Sequence, residues 1–369
     1  MRLARWLRQS QSLRGSDDWG YTVPKDFEGK GAGMKIGCVG CGYWGPNIVR
    51  NIIEIDPLME VYIHDVNHKN LDLITRRFRQ LIPVTSYEML LKETGIEAVV
   101  IATPVETHFE LTKEALEAGK HVMVEKPLAL SVERARELAS LAIEKKLILM
   151  VGHTFLFSPP VRTVKELIDN GEIGKVNLVA MDRINLGIHR RDCSVLWDLA
   201  PHDISILNFW IGEWPERISA IGRGYNHRTK PEVAFMTLDF PSGTLARITI
   251  SWLSPGKLRR STVIGSKKMV VYDDTASVEK VKVYDWGVNI LEPKDYGEFQ
   301  LSYRTGNITS PHIDNVEPLR LEILHFFDCV ENGKKPLSDG EFGLQVVKVV
   351  EAAERSLNAG GVPVEIGKE

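Results

Sequence analysis

The sequence predicts a doubly wound α/β domain followed by an α+β domain, on three observations. Short, continuous apolar runs alternate with helical patterns from Met34 to Val151. A glycine-rich turn joins the first such run to the first helix. After about Gly152 the alternation gives way to two helices and then a series of strand-like segments. Apolar strands separated by helices imply a parallel sheet covered on both faces. Strands in series imply a largely antiparallel sheet.

In the first part, Lys35–Val39 is a short apolar strand ending in glycines, and Asn47–Ile55 is helical. Glu60–His64 is a second strand, closed by Asp65, and Leu71–Leu81 a second helix. The run AVVIA over Ala98–Ala102 is a buried strand, followed by a helix over His108–Ala118 that stops at Gly119. His121–Val124, Val132–Lys145 and Ile148–Val151 complete the alternation. In the second part, helices are expected over Val161–Asn170 and Pro201–Trp210, with a strand at Val176–Ile184 between them. Strands follow at Arg217–Gly222, Val233–Phe240, Thr244–Ser251, Ser261–Ile264, Met269–Tyr272 and Lys280–Tyr284, and Pro241-Ser242-Gly243 makes a hairpin turn. Glu317–Glu331 and Glu341–Asn358 are the last helices. Residues 1–33 carry arginines and then a polar, Gly-rich run without an apolar core, and are expected to be a flexible leader.

Composition narrows the function. A net charge of −3 with both signs spread along the chain gives no basic face for nucleic acid. No apolar run is long enough to cross a bilayer. Four cysteines, two of them isolated, predict a reducing compartment, the cytoplasm, rather than a disulfide framework.

The stretch KIGCVGCGYWGPN contains both a CxxC (Cys38, Cys41) and a GxGxxG (Gly40, Gly42, Gly45). A metal site needs about four ligands, and no second pair stands at suitable spacing, so no metal is expected. The cysteines then read as small buried residues. The glycines follow a strand and open a helix, as a dinucleotide-binding turn requires. Gly40 allows the tight turn, Gly42 lets backbone approach a pyrophosphate, and Gly45 lets helix pack on strand. The amides near Tyr43 and Trp44 then face the phosphates, with the helix dipole behind them. A Rossmann domain also needs an acid for the ribose at the end of the second strand. Asp65 stands there, twenty residues past Gly45. That acid repels a 2′-phosphate and favours NAD over NADP, although His64 and His68 stand close by.

A nicotinamide cofactor handles hydride and leaves the proton to the protein. Two stretches could handle it. In VMVEKPLAL, Glu125 and Lys126 sit at the carboxyl end of a strand, where ligands of doubly wound folds lie. Lys126 can donate to a substrate oxygen; a solvated lysine after a strand is an equally simple reading. In VLWDLAPHDISIL, Asp198 and His202 are spaced i, i+4 and share a helix face. Pro201 suggests that this helix starts there, with Asp198 as its N-cap. An imidazole oriented by a carboxylate suits a general base; a capping aspartate with an incidental histidine is the plainer alternative.

Together VGCGYWGPN, ATPVETH, EKPLAL and WDLAPHDISIL resemble the Gfo/Idh/MocA oxidoreductases, over about Met34 to Ile366. The resemblance implies an NAD-binding domain over 34–152. It also implies a substrate and oligomerisation domain over 153–369 with a large, open, mostly antiparallel sheet. It implies NAD(P)-linked chemistry at a CH–OH carbon of a sugar, cyclitol or sugar nucleotide, in a homodimer or homotetramer formed through the open sheet face. Residue by residue it gives Lys126 and His202 catalytic roles, with His202 as proton acceptor and Asp198 as its partner. Ala102, Thr103, Pro104, His108 and Glu125 fall on the cofactor side. The motifs GYWGPN, RINLGIHRRD and LAPHD are most similar to those of dehydrogenases that oxidise carbon 3 of UDP-activated N-acetylhexosaminuronates. In that light Arg183, Asn185, Arg190 and Arg191 become candidates for a substrate carboxylate or diphosphate, although a solvated loop explains these arginines equally well. That group is expected to carry a small polar residue where Asp198 stands. The same residue set also fits an NAD-cycling lyase or glycosidase, and an inositol dehydrogenase.

Overall fold

The computed structural model describes residues 34–187, 193–226, 230–290 and 301–367. The leader, Arg190 and Arg191 lie outside the described residues.

A six-stranded parallel sheet has the order β3-β2-β1-β4-β5-β6, from β1 (Lys35–Val39), β2 (Glu60–His64), β3 (Ile82–Pro83), β4 (Ile96–Ile101), β5 (His121–Glu125) and β6 (Leu149–Gly152). The order reverses beside β1, so β1 and β4 open the crevice in which this topology takes ligands. Helices α1 (Gly45–Ile55), α2 (His68–Arg77), α3 (Tyr87–Lys92), α4 (His108–Glu117) and α5 (Val132–Lys145) connect the strands. Core residues such as Ile36, Val99 and Val122 are fully buried, which is why these strands read as unbroken apolar runs.

The second part opens with α6 (Pro159–Asp169), β7 (Val176–Leu186) and α7 (Val195–Ile211). Strands β8 (Arg217–Arg223), β9 (Val233–Asp239), β10 (Leu245–Ser251), β11 (Leu253–Gly265), β12 (Met269–Asp273), β13 (Val281–Ile290) and β14 (Leu301–Thr309) follow. With the short β15 (Val364–Glu365) they build a nine-stranded sheet, β14-β13-β12-β11-β7-β10-β9-β8-β15. Its pairings are antiparallel except for β7 with β10. One face packs on the helices; the other exposes Ile221, Phe235, Leu245 and Ile264.

The last helices, α8 (Pro318–Asn332) and α9 (Gly340–Asn358), return to the first sheet. Val151 N–H donates to Ser338 O at 2.7 Å, and Ser338 Oγ donates to Val151 O at 2.7 Å. The edge strand β6 is thereby closed by a segment remote in the chain. A Cβ on Gly343 would meet Val151 at 2.6 Å, so α9 lies tight against that strand.

Helix α7 corrects one expectation. It starts at Val195 with Ser194 as N-cap, and Pro201 lies inside it. Val195, Leu196 and Trp197 are buried, and their burial secures the turns ahead of the proline. Asp198 is therefore a first-turn residue rather than the cap.

Candidate active site

The glycine turn is built from backbone. Gly40 has φ +91°, and a Cβ there would sit 2.5 Å from Ala102 O. A Cβ on Gly45 would sit 2.0 Å from Gly40 O. Gly42, in contrast, has nothing within 4 Å of its Cβ position. Bare backbone thus faces open space in front of α1, the cradle a pyrophosphate requires. Tyr43 is exposed and Trp44 half-buried. Cys38 and Cys41 are buried free thiols, and burial pushes both up, Cys41 to about 12.

Asp65 is committed more to the protein than its position alone suggests. Its Oδ2 accepts from Cys41 N–H at 2.7 Å and Asn70 Nδ2 at 3.0 Å, and its Oδ1 from Asn67 N–H at 2.7 Å. A carboxylate offers about four acceptor sites, so Asp65 pins the glycine turn and keeps roughly one lone pair for a ribose. On the other side of the crevice, Ala102 N–H donates to Val39 O at 2.8 Å, and Pro104 precedes a short 3-10 turn over Val105–Thr107. His108, buried, faces Pro127 O with Nδ1 at 2.9 Å and Thr103 O with Nε2 at 3.0 Å. Carbonyls only accept, so both bonds form together only when each ring nitrogen carries a hydrogen. His108 thus lies between the Ala102–Pro104 loop and the corner that follows Lys126.

At that corner the Lys126–Pro127 bond is cis. Lys126 Nζ donates to Asp198 O at 2.7 Å and lies 3.5 Å from Asp198 Oδ1. Asp198 Oδ2 accepts from Trp252 Nε1 at 3.1 Å. His202, one turn on, keeps its Nδ1 buried without a hydrogen-bond partner. The expected arrangement, Asp198 orienting His202, is thus replaced: the carboxylate is turned toward Lys126 and Trp252 and does not hold Nδ1. The His202 ring meets Phe155 edge-on at 5.1 Å. Burial, and then the charges of Lys126, Arg183, His153 and Arg259, hold His202 well below the usual histidine range. It is a neutral imidazole at neutral pH.

Two further groups stand under this corner. Glu125 pairs in register with Gly152, so Lys126 and His153 leave the sheet side by side. His153 is buried, and burial together with Lys126 lowers it to about 3. Glu322, from α8, accepts from Thr154 Oγ1 at 2.7 Å. Burial and the nearby charge of Glu125 hold Glu322 well above the usual carboxylate range.

Arg183 lies on the helix-facing side of β7 and is buried. It does not stand ready for a ligand with its whole fork, as the sequence suggests. Its Nε and Nη2 each donate to Asp203 at 2.9 Å, and only Nη1 is left without a partner. Asn185, on the same face, keeps Oδ1 buried and unpartnered. The structure thus brings Lys126, Asp198 and His202 together. Sequence reasoning missed His153, Phe155, Trp252 and Arg259. His153 was findable as a polar residue at a strand's carboxyl end; Trp252 and Arg259 gave no local signal, because strand register alone places them here.

Two family profiles match the chain. The first, an oxidoreductase family with an NAD-binding Rossmann fold, covers residues 34–153, and the second, the C-terminal alpha/beta domain of that family, covers residues 165–366. The chain belongs to the Gfo/Idh/MocA oxidoreductase family. NAD is accordingly its cofactor, and the bare cradle at Gly42 fits that group. Among relatives, a 2,7-anhydro-N-acetylneuraminate hydratase of Escherichia coli is 27% identical over 360 residues, covering 88% of this chain and 95% of its own. A scyllo-inositol 2-dehydrogenase (NAD(+)) of Bacillus subtilis is 28% identical, covering 76% of this chain and 80% of its own. UDP-N-acetylglucosamine 3-dehydrogenase of Acidithiobacillus ferrooxidans is 27% identical, covering 65% of this chain and 74% of its own. A solved structure of that last enzyme superposes with a TM-score of 0.72 at 22% identity, over 88% of this chain and 98% of the other, which establishes shared fold. Among the described residues no helix of this Gfo/Idh/MocA protein is long and apolar enough to cross a membrane.

Proposed function

We propose that this oxidoreductase removes hydrogen from a secondary alcohol of a sugar or sugar nucleotide. The observation that carries the reading is the junction of Lys126 with Asp198 beside neutral His202. It joins the strand end that faces the cofactor crevice to the helix of the second sheet. Bound NAD+ supplies the hydride acceptor. Lys126 donates a hydrogen bond to the substrate oxygen, which stabilises that oxygen as its proton leaves. His202 takes the proton. Asp198 holds the Lys126 ammonium in place instead of orienting the imidazole. Asp65 favours NAD over NADP.

The substrate class follows from the motifs shared with dehydrogenases of UDP-activated N-acetylhexosaminuronates, and a relative acts on a UDP-N-acetylhexosamine. Residues 34–152 would serve the cofactor and 153–369 the substrate. The apolar open face of the nine-stranded sheet would pair two copies into a homodimer or homotetramer. Free buried thiols suit the cytoplasm. A second reading, transient oxidation with NAD returned to its starting state, is favoured by the hydratase among the relatives. Addition of UDP-sugars, hexoses and inositols to the NAD+-loaded protein separates the two. Steady growth of absorbance at 340 nm supports the dehydrogenase. Product formation with flat absorbance overturns it in favour of cycling, and NADH from free inositols alone overturns the sugar-nucleotide class.

A further inference from the structure

Arg183 and Arg259 stand directly opposite each other on β7 and β11. Both point to the helix side of the sheet, where α7 carries His202. Like charges directly opposite on a sheet repel, so the pair needs a reason. Each arginine has its own carboxylate: Asp203 holds Arg183 at 2.9 Å with two bonds, and Asp274 meets Arg259 Nη1 at 3.4 Å. A purely structural network would close both guanidinium forks. Here each fork keeps one nitrogen unused, since Arg183 Nη1 and Arg259 Nε are buried without a partner. A buried N–H left unmade is costly.

Both arginines address a single ring. The Cζ atoms of Arg183 and Arg259 lie 4.5 and 5.9 Å from the centroid of Phe155, whose centroid is 5.1 Å from that of His202. The two guanidinium groups and the His202 ring thus all lie against one ring, Phe155. Two unpartnered guanidinium donors call for an anion, and a carboxylate brings two oxygens, one for each.

We propose that Arg183 and Arg259 form a clamp for a carboxylate on the substrate ring, one oxygen to each unpartnered N–H. Arg259 is then a specificity residue for the reaction proposed above, on which this inference rests. The two N–H groups are shut from solvent beside Phe155.

Calorimetry on the NAD+-loaded protein tests the clamp with four probes: glucose, glucuronate, UDP-glucose and UDP-glucuronate. Each acid is expected to bind about tenfold to hundredfold more tightly than its neutral counterpart, the worth of one or two charge-assisted bonds. Arg259→Gln should erase that ratio and Arg259→Lys should restore part of it, with NAD+ affinity as the check that the variants fold. Equal affinity for acid and neutral probes in the unaltered protein, or no binding of either acid, overturns the clamp without any variant. A diphosphate preference that Arg259→Gln removes, with no gain from the carboxylate, overturns it too. Selective acid binding without NADH formation would strike the dehydrogenase reading and leave the clamp standing.

Discussion

Around Gly40 the six-stranded sheet meets its ligand with bare backbone, whereas around Arg183 the nine-stranded sheet presents long side chains. In the first region positions are fixed by φ angles and close approach: Gly45 has no room for a Cβ, and Asp65 is locked by three donors. In the second, His202 Nδ1, Arg183 Nη1 and Asn185 Oδ1 stay unpartnered under burial. The first region is complete before a ligand arrives. The second keeps buried donors and acceptors unsatisfied.

The largest expected effect breaks the second region and spares the first. Lys126→Ala or His202→Ala should lower kcat/KM by about 10²–10⁴-fold, the usual worth of a positioned acid or base, while calorimetric NAD+ affinity changes little. Unchanged turnover in both variants would end the roles given to them. Next comes the converse break. Gly45→Ala drives a methyl into Gly40 O, an immovable backbone atom. It should cost about 1–3 kcal/mol of stability, as overpacking does, and remove NAD+ binding together with several degrees of Tm. A Tm and affinity equal to those of the unaltered protein would show that the turn yields.

Acid sharpens the contrast. His153 is lowered to about 3 and His325 to about 4, and His202 lies well below its usual range, all with burial as the first cause. The unfolded chain binds protons at these histidines below about pH 6.5, where the folded chain does not, so stability falls as pH drops from there. For buried His153 alone the loss at pH 5 is about 2 kcal/mol. Denaturant midpoints at pH 7 and pH 5 measure it, and His153→Gln should flatten the difference. An identical slope in that variant would mean that His153 does not contribute. The smallest effect is expected at Asp65. Asp65→Asn removes the charge and turns one of the two accepting oxygens into a donor, so NAD+ affinity should fall by about tenfold while discrimination against NADP+ narrows. A ratio of the two dissociation constants that stays put would remove charge as the basis of that choice.

The same contrast explains what could be read from the chain. Gly40, Gly42, Gly45 and Asp65 act through local backbone geometry, and local geometry leaves a spacing in the sequence. Lys126 was visible because a strand's carboxyl end is a known place for ligands. The pairing of Asp198 was misread because the i, i+4 rule names a shared helix face and says nothing of Lys126, which arrives from another sheet. Pro201 misled for a related reason: the propensity of one residue was outweighed by the buried Val195-Leu196-Trp197 turn. Arg259 lies opposite Arg183 only because β11 runs antiparallel to β7 in one register. A shift of one residue would have turned it to the far face.

The seal that Ser338 places on β6 has a consequence for biogenesis. As the ribosome extends the polypeptide, all six strands of the parallel sheet emerge well before that serine does. Until then β6 offers raw amide and carbonyl groups to any passing strand, the state that invites self-association and chaperone capture. Nascent chains stalled just short of residue 338 should therefore pellet more readily than those stalled beyond α9, and equal solubility would show that the border needs no late guardian.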